Sequence, residues 1–202
     1  MVISESYKTE LYRKAIHVFS LQIPIFYGLW LDQHTMLFLL IPAALISFTI
    51  DKMRFVDGKL KTTFDSIFGF MMRPHEVDEK QRNLSGATYV LIAAVLTILF
   101  FPKPIAVYAF AMLIIGDASA ALVGKSIGKN KVFDLPKTWE GSVAFFLSSL
   151  IVSLFITDLS WQIKLVGAFV ATIVELLPIP SDDNLTIPTL SGAAMFIVSV
   201  LL

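Results

Sequence analysis

Apolar runs of about 16–20 residues alternate with short polar stretches along most of the chain, the spacing of a protein that crosses a membrane repeatedly. Spans are predicted at about residues 5–31, 35–50, 86–101, 105–123, 139–156, 161–177 and 189–202. Residues 5–16 read as a partly amphipathic start to the first span, and Pro24 is a kink point within it. Between the second and third spans lies the longest polar segment, residues 51–85. Inside it Val56, Leu60, Phe64, Ile67, Phe68 and Met71 recur every three or four residues. That period predicts an amphipathic helix on the membrane surface or against the bundle, ended by Pro74. The expected fold is all-α: a polytopic integral membrane helical bundle of about seven transmembrane helices plus an amphipathic cytoplasmic helix. A single membrane domain covers residues 1–202.

Composition agrees. Hydrophobic residues make up 56% of the chain, charged residues 16%, and the mean hydropathy is +0.75. A soluble domain carries about 25% charged residues. The 202 residues suffice for one bundle and leave no room for a soluble domain beside it. Without cysteine, disulfides, zinc-thiolate sites and thiol catalysis are excluded. No cleavable signal peptide is expected, since mostly polar residues precede a first span that itself carries charge.

The net charge of zero hides an asymmetry. Seven spans place the N-terminus and the loops at 51–85, 124–138 and 178–186 on one side. Of the 16 Lys and Arg residues, only Lys103 and Lys164 then fall on the other side, leaving 14 together. Of the acidic residues, only Asp32 and Asp158 lie opposite. The positive-inside rule makes the rich side cytoplasmic. The polar chemistry therefore gathers at one cytoplasmic face, whether of a prokaryotic plasma membrane or of the endoplasmic reticulum.

The densest chemistry lies in GDASAALVGKSIGKNKVFDLPKTWEGS, residues 116–142. Asp117 sits inside an apolar run, Gly124 and Gly128 bracket the exit from it, and Lys125, Lys129 and Lys131 lie between and after them. Lys137, Thr138, Glu140 and Gly141 open the next span. A carboxylate, two small-residue turns and clustered lysines at a bilayer surface suit a polyphosphate with its metal ion. Plainer readings exist for each part. Asp117 could be the ion-pair partner of Lys14 or Arg13. Gly124 and Gly128 form a GxxxG packing pattern, and Thr138 is a natural N-cap with Glu140 in the first turn. The segment SAALVGKS is no Walker-type site, because it lies in an apolar helix without a preceding strand. Elsewhere, Lys14 and His17 share one helix face, and Arg73 and Glu76 could form a surface pair. Glu175 closes the sixth span. Asp182, Asp183 and Asn184 form an oxygen-rich cluster that could hold Mg²⁺, or cap the last helix.

GDASAALVGKSIGK and KTWEGS, followed by ELLPIPSDDNLTIPTLSG, resemble the CTP-dependent lipid kinases: dolichol, phytol, and related polyprenol or diacylglycerol kinases. RKAIHVFS near the start and RPHEVDEKQRNLSGATYVL before the third span resemble the same family, so the likeness covers most of the chain. It implies CTP as co-substrate, Mg²⁺ or another divalent cation as cofactor, and transfer of the γ-phosphate to a membrane-embedded isoprenoid alcohol, giving a lipid monophosphate and CDP. On that resemblance Gly124, Lys125, Gly128, Lys129, Lys137, Thr138, Glu140 and Gly141 bind the nucleotide. Asp117, Glu140, Asp182 and Asp183 are the metal ligands. Asp117, Asp183 or His17 takes the hydroxyl proton, and Lys14 or Arg13 steadies the transferred phosphoryl group. The partners implied are the lipid alcohol, CTP and the bilayer, with no nucleic acid and a homodimer left open.

Two other classes remain. The first half also resembles the cytidylyltransferase CDP-diacylglycerol synthase, whose later Asp-rich signature is replaced here by DDNLTIP. A small transporter would place its charges near the bilayer midplane on repeated halves, and no repeat is visible. The topology has a direct test. Cysteines introduced singly at Lys80 and Asp158 should react with an impermeant thiol reagent from opposite sides of sealed vesicles; labelling from one side alone would sink the seven-span arrangement.

Overall fold

The computed structural model describes residues 5–56, 58–69, 72, 83–133, 135 and 137–202, with side chains from residue 11 onward. Among these residues the fold is all-α, with nine helices and no strand. They are α1 (Glu5–Phe19), α2 (Gln22–Leu29), α3 (Gln33–Met53), α4 (Gly58–Phe68), α5 (Gly86–Phe100), α6 (Lys103–Ser126), α7 (Trp139–Ser153), α8 (Trp161–Leu176) and α9 (Asp183–Leu201).

The order matches the hydrophobic pattern, with three main differences, one of them that α9 begins at Asp183, inside the 178–188 stretch expected as a loop, with Asp182 as its cap. The first predicted span is broken at Ser20–Leu21 into α1 and α2. Pro24 explains the position of the break. It has no N–H to donate to the Ser20 carbonyl and its ring would crowd that group, whereas it fits the first turn of a new helix. The third difference concerns α6, which runs to Ser126, so Gly124 and Lys125 are helical rather than part of the predicted loop. Ala, Leu and Val precede Gly124 without interruption, and one glycine costs only about 1 kcal/mol in a helix.

Local chemistry sets the helix starts. Asp32 caps α3, accepting from the Thr35 amide at 2.9 Å and the Thr35 hydroxyl at 3.0 Å. Those donors hold the exposed Asp32 carboxyl below the usual carboxylate range. Ser85, Thr138 and Asp182 cap α5, α7 and α9.

Helix α6 is the axis of the bundle. Every residue from Ile105 to Ile114 is buried, as expected of a helix apolar all round its circumference. Helices α1, α2, α5, α7, α8 and α9 pack on it, and α3 packs on α5. Glycines permit the closest approaches. A Cβ on Gly116 would stand 2.7–2.9 Å from the Phe145 ring, and Gly124 of α6 faces Gly141 of α7.

Three helices, α3, α6 and α9, are long and apolar enough to cross a membrane. Helices α5 and α7 are apolar but have 15 residues each. Fifteen residues rise about 23 Å, less than the roughly 30 Å of a hydrocarbon core. Thus not every one of the seven expected spans is a full-length helix.

The Gly116 contact is testable. Phe145 is fully buried and has little room to retreat. Gly116→Ala should lower stability by about 1–3 kcal/mol through overpacking, read as a fall in melting temperature in detergent. A second change, Phe145→Leu, should recover part of the loss. An unchanged melting temperature for Gly116→Ala would refute the tight α6–α7 contact.

Candidate functional site

Asp117 projects from the central helix at the end where α1, α8 and α9 converge. A carboxylate so enclosed needs a counter-charge, and Lys14 of α1 supplies it by donating from Nζ to Asp117 Oδ2. Lys14 is only 4% exposed. One turn along α1, His17 Nε2 stands 3.6 Å from the same carboxylate oxygen, buried and without a hydrogen-bond partner. The shared helix face of Lys14 and His17 thus points at Asp117.

A second polar group adjoins the first. Lys137 lies in the loop between α6 and α7, and backbone pairing fixes its place. The Val132 amide donates to the Lys137 carbonyl at 3.0 Å, and the Trp139 amide donates to the Asn130 carbonyl at 3.0 Å. Val132 is fully buried beneath this small hairpin. The Lys137 ammonium reaches Glu175 Oε1 of α8 at 3.2 Å and Asp183 Oδ2 of α9 at 3.3 Å. Asp117 lies within electrostatic reach of both acids.

Two cavities are lined by these groups, one by Lys14, His17 and Asp117 and the other by Lys137 and Asp183. The larger, about 700 Å³, is mostly apolar. Ile16 and Ile23, Ala43 and Ile46 of α3, Phe64 and Phe68 of α4, and Val90 and Leu91 of α5 line it. Its polar end holds Lys14, His17, Asp117 and the buried Asn184. The smaller, about 400 Å³, is lined by Asn83, Tyr89, Lys137, Asp182, Asp183 and the 176–181 turn.

Of the residues singled out from sequence, Lys14, His17, Asp117, Lys137, Asp182 and Asp183 line these cavities. The others do not. Gly124, Gly128 and Gly141 pack around Thr138: a Cβ on Gly124 or Gly141 would stand 3.0 or 3.1 Å from Thr138 Oγ1. The Gly128 amide donates to the Val123 carbonyl, and the Gly141 amide to Thr138 Oγ1. The GxxxG pattern is therefore used for close packing. Glu140 accepts from the Lys129 and Asn130 amides and from the Asn130 side chain at 2.8 Å, which ties the loop to the start of α7. Lys125 at the end of α6 and Lys129 and Lys131 along this loop are exposed. Asp182 accepts from the Asn184 amide at 2.9 Å as the cap of α9. Among the described residues, no three Asp, Glu or His side chains already stand as a closed metal site. Arg73 and Glu76 lie outside the described residues, as do Met71 and Pro74.

Two features escaped the sequence reading. Glu175 is a central member of the cluster, and its signal was a charge inside an apolar run. Asp51 and Arg54 form a buried pair at 3.3 Å where α3 meets α5. Asp51 also accepts from the Ser85 amide and hydroxyl and from the Thr88 hydroxyl, while Arg54 donates to the Asn83 carbonyl.

The chain is similar over most of its length to an uncharacterized protein of Rickettsia prowazekii, with 29% identity over 192 residues, 92% of each chain. A probable chloroplastic phytol kinase of Triticum aestivum is 30% identical over 139 residues, covering 59% of this chain and 46% of that one. Phytol kinase 1 of Arabidopsis thaliana, also chloroplastic, is 27% identical over 132 residues, covering 56% and 43%. The matches span less than half of each of these two phytol kinases. No family model and no solved structure matches the chain. The similarities support a lipid-kinase relationship in general and single out no particular member.

Proposed function

We propose that this chain is a CTP-dependent kinase that moves the γ-phosphate to the hydroxyl of a membrane-embedded isoprenoid alcohol. The observation that carries the reading is a pair of unlike cavities on either side of the start of α9, Asn184 lining one and Asp183 the other. An apolar cavity of about 700 Å³ ends at Asp117, Lys14 and His17. A more polar one begins at Lys137 and Asp183. The prenyl chain would lie in the first and the nucleotide phosphates in the second. Resemblance to phytol kinases points the same way.

In this arrangement the alcohol oxygen attacks the γ-phosphorus, the bond from that phosphorus to the bridging β-oxygen breaks, and CDP leaves. The hydroxyl proton passes to Asp117 or to the partnerless His17 Nε2. Lys14 and Lys137 offset charge on the transferred group, and phosphoryl transfer depends mainly on such positioning and neutralisation. Carboxylate oxygens suit a hard divalent cation. Asp117 and Asp183 would hold one, and Glu175 Oε2, buried without a hydrogen-bond partner, leaves acceptor capacity beside them. The cation would supply further neutralisation of the phosphates.

The test uses purified protein, Mg²⁺, prenols of several lengths, and CTP or ATP labelled at the α or γ position. A kinase transfers only the γ label to lipid, whereas transfer of the α label would mark a cytidylyltransferase. Asp117→Asn should lower transfer by at least about 10²-fold in a folded protein. Lys14→Met should destabilise the bundle by about 1–3 kcal/mol, because it removes the main counter-charge of a largely enclosed carboxylate. The double variant should recover stability but not activity. Recovery of both would reduce Asp117 to an ion-pair partner.

A further inference from the structure

We infer that Glu175 and Asp183 form a divalent-cation site in which the Lys137 ammonium now occupies the cation's place. The inference deepens the kinase reading, on which the link to nucleotide binding rests.

Lys137 Nζ sits between two carboxylates from different helices, 3.2 Å from Glu175 Oε1 and 3.3 Å from Asp183 Oδ2. Glu175 is 7% exposed, and its second oxygen is buried with no hydrogen-bond partner. A single ammonium therefore leaves part of the acceptor capacity unused, and an unpaired charged oxygen in such a place is costly.

The alternative carboxylate, Glu140, is already held by the loop amides and by Asn130. Lys137 is different. It is half-buried at the edge of the polar cavity, on a long flexible stem, and can turn toward an arriving phosphate. Its departure would open the space between Glu175 and Asp183. Nucleotide and cation would then enter together, with the lysine handed from carboxylates to phosphate.

The experiment titrates Mn²⁺ into purified full-length protein without lipid. Bound metal is followed by loss of the free-ion electron paramagnetic resonance signal, and melting temperature is recorded in parallel. Glu175→Gln should weaken Mn²⁺ binding by at least about 10-fold. Lys137→Met should strengthen it in the absence of nucleotide, because the competing ammonium is gone. A merely structural role for Lys137 predicts no such gain. Asp158→Asn, in a turn remote from the cluster, controls for surface binding. Unchanged affinity in Glu175→Gln, or equal or weaker affinity in Lys137→Met, would overturn the site; so would a parent that binds no Mn²⁺ even when CTP is present. If Glu175→Gln does not fold, Lys137→Met alone decides. A parent that binds Mn²⁺ as described yet transfers no phosphate would remove the kinase reading and leave the cation site standing.

Discussion

The rest of the arrangement depends on a carboxylate carried by the most enclosed helix. Asp117 lies on α6, whose preceding turns are buried all round. A charge there must be met by a cation from a neighbouring element. Lys14 meets it, and so α1 docks against α6 with His17 on the same face. The ion pair is weak support for stability as such, since hydrophobic replacement of buried pairs is often neutral. Its effect is geometric: it holds the polar end of an apolar cavity at one depth.

Around that fixed point, α8 and α9 bring Glu175 and Asp183, while the paired loop after α6 brings Lys137. The tight α6–α7 contact at Gly124 and Gly141 sets where that loop returns. Glu140 then fastens the loop to the start of α7. Residues that resembled phosphate ligands in sequence thus build the frame from which Lys137 extends. At the opposite end of the larger cavity, the Asp51–Arg54 pair joins α3 to the residues before α5, below Phe64 of α4.

Much of the fold was legible because apolar run length and caps are local signals. Helices α3, α5, α6, α7 and α8 begin within two residues of the expected positions, and Thr138 caps as its sequence context indicated. The break after Ser20 was foreshadowed by Pro24, but its size was not, because it depends on how α2 packs against α6. In the site, Asp117, Lys14 and His17 were legible as polar residues in an apolar setting. The packing use of Gly124, Gly128 and Gly141 was not decided by spacing, since GxxxG serves both packing and turns. Glu175 and the Asp51–Arg54 pair became meaningful only when distant segments met.

The two short apolar helices have a consequence for the surrounding lipid. Within a bilayer, helices rising about 23 Å cannot match the usual hydrocarbon thickness, and the lipid compresses around them at a modest cost. Helix α5 also forms one wall of the apolar cavity, through Val90 and Leu91. On the proposed kinase reading, a lipid approaching along that wall would meet a thinned leaflet, and its hydroxyl would start nearer to the polar end of the cavity. The protein's dimensions would in this way prepare the membrane as well as the site.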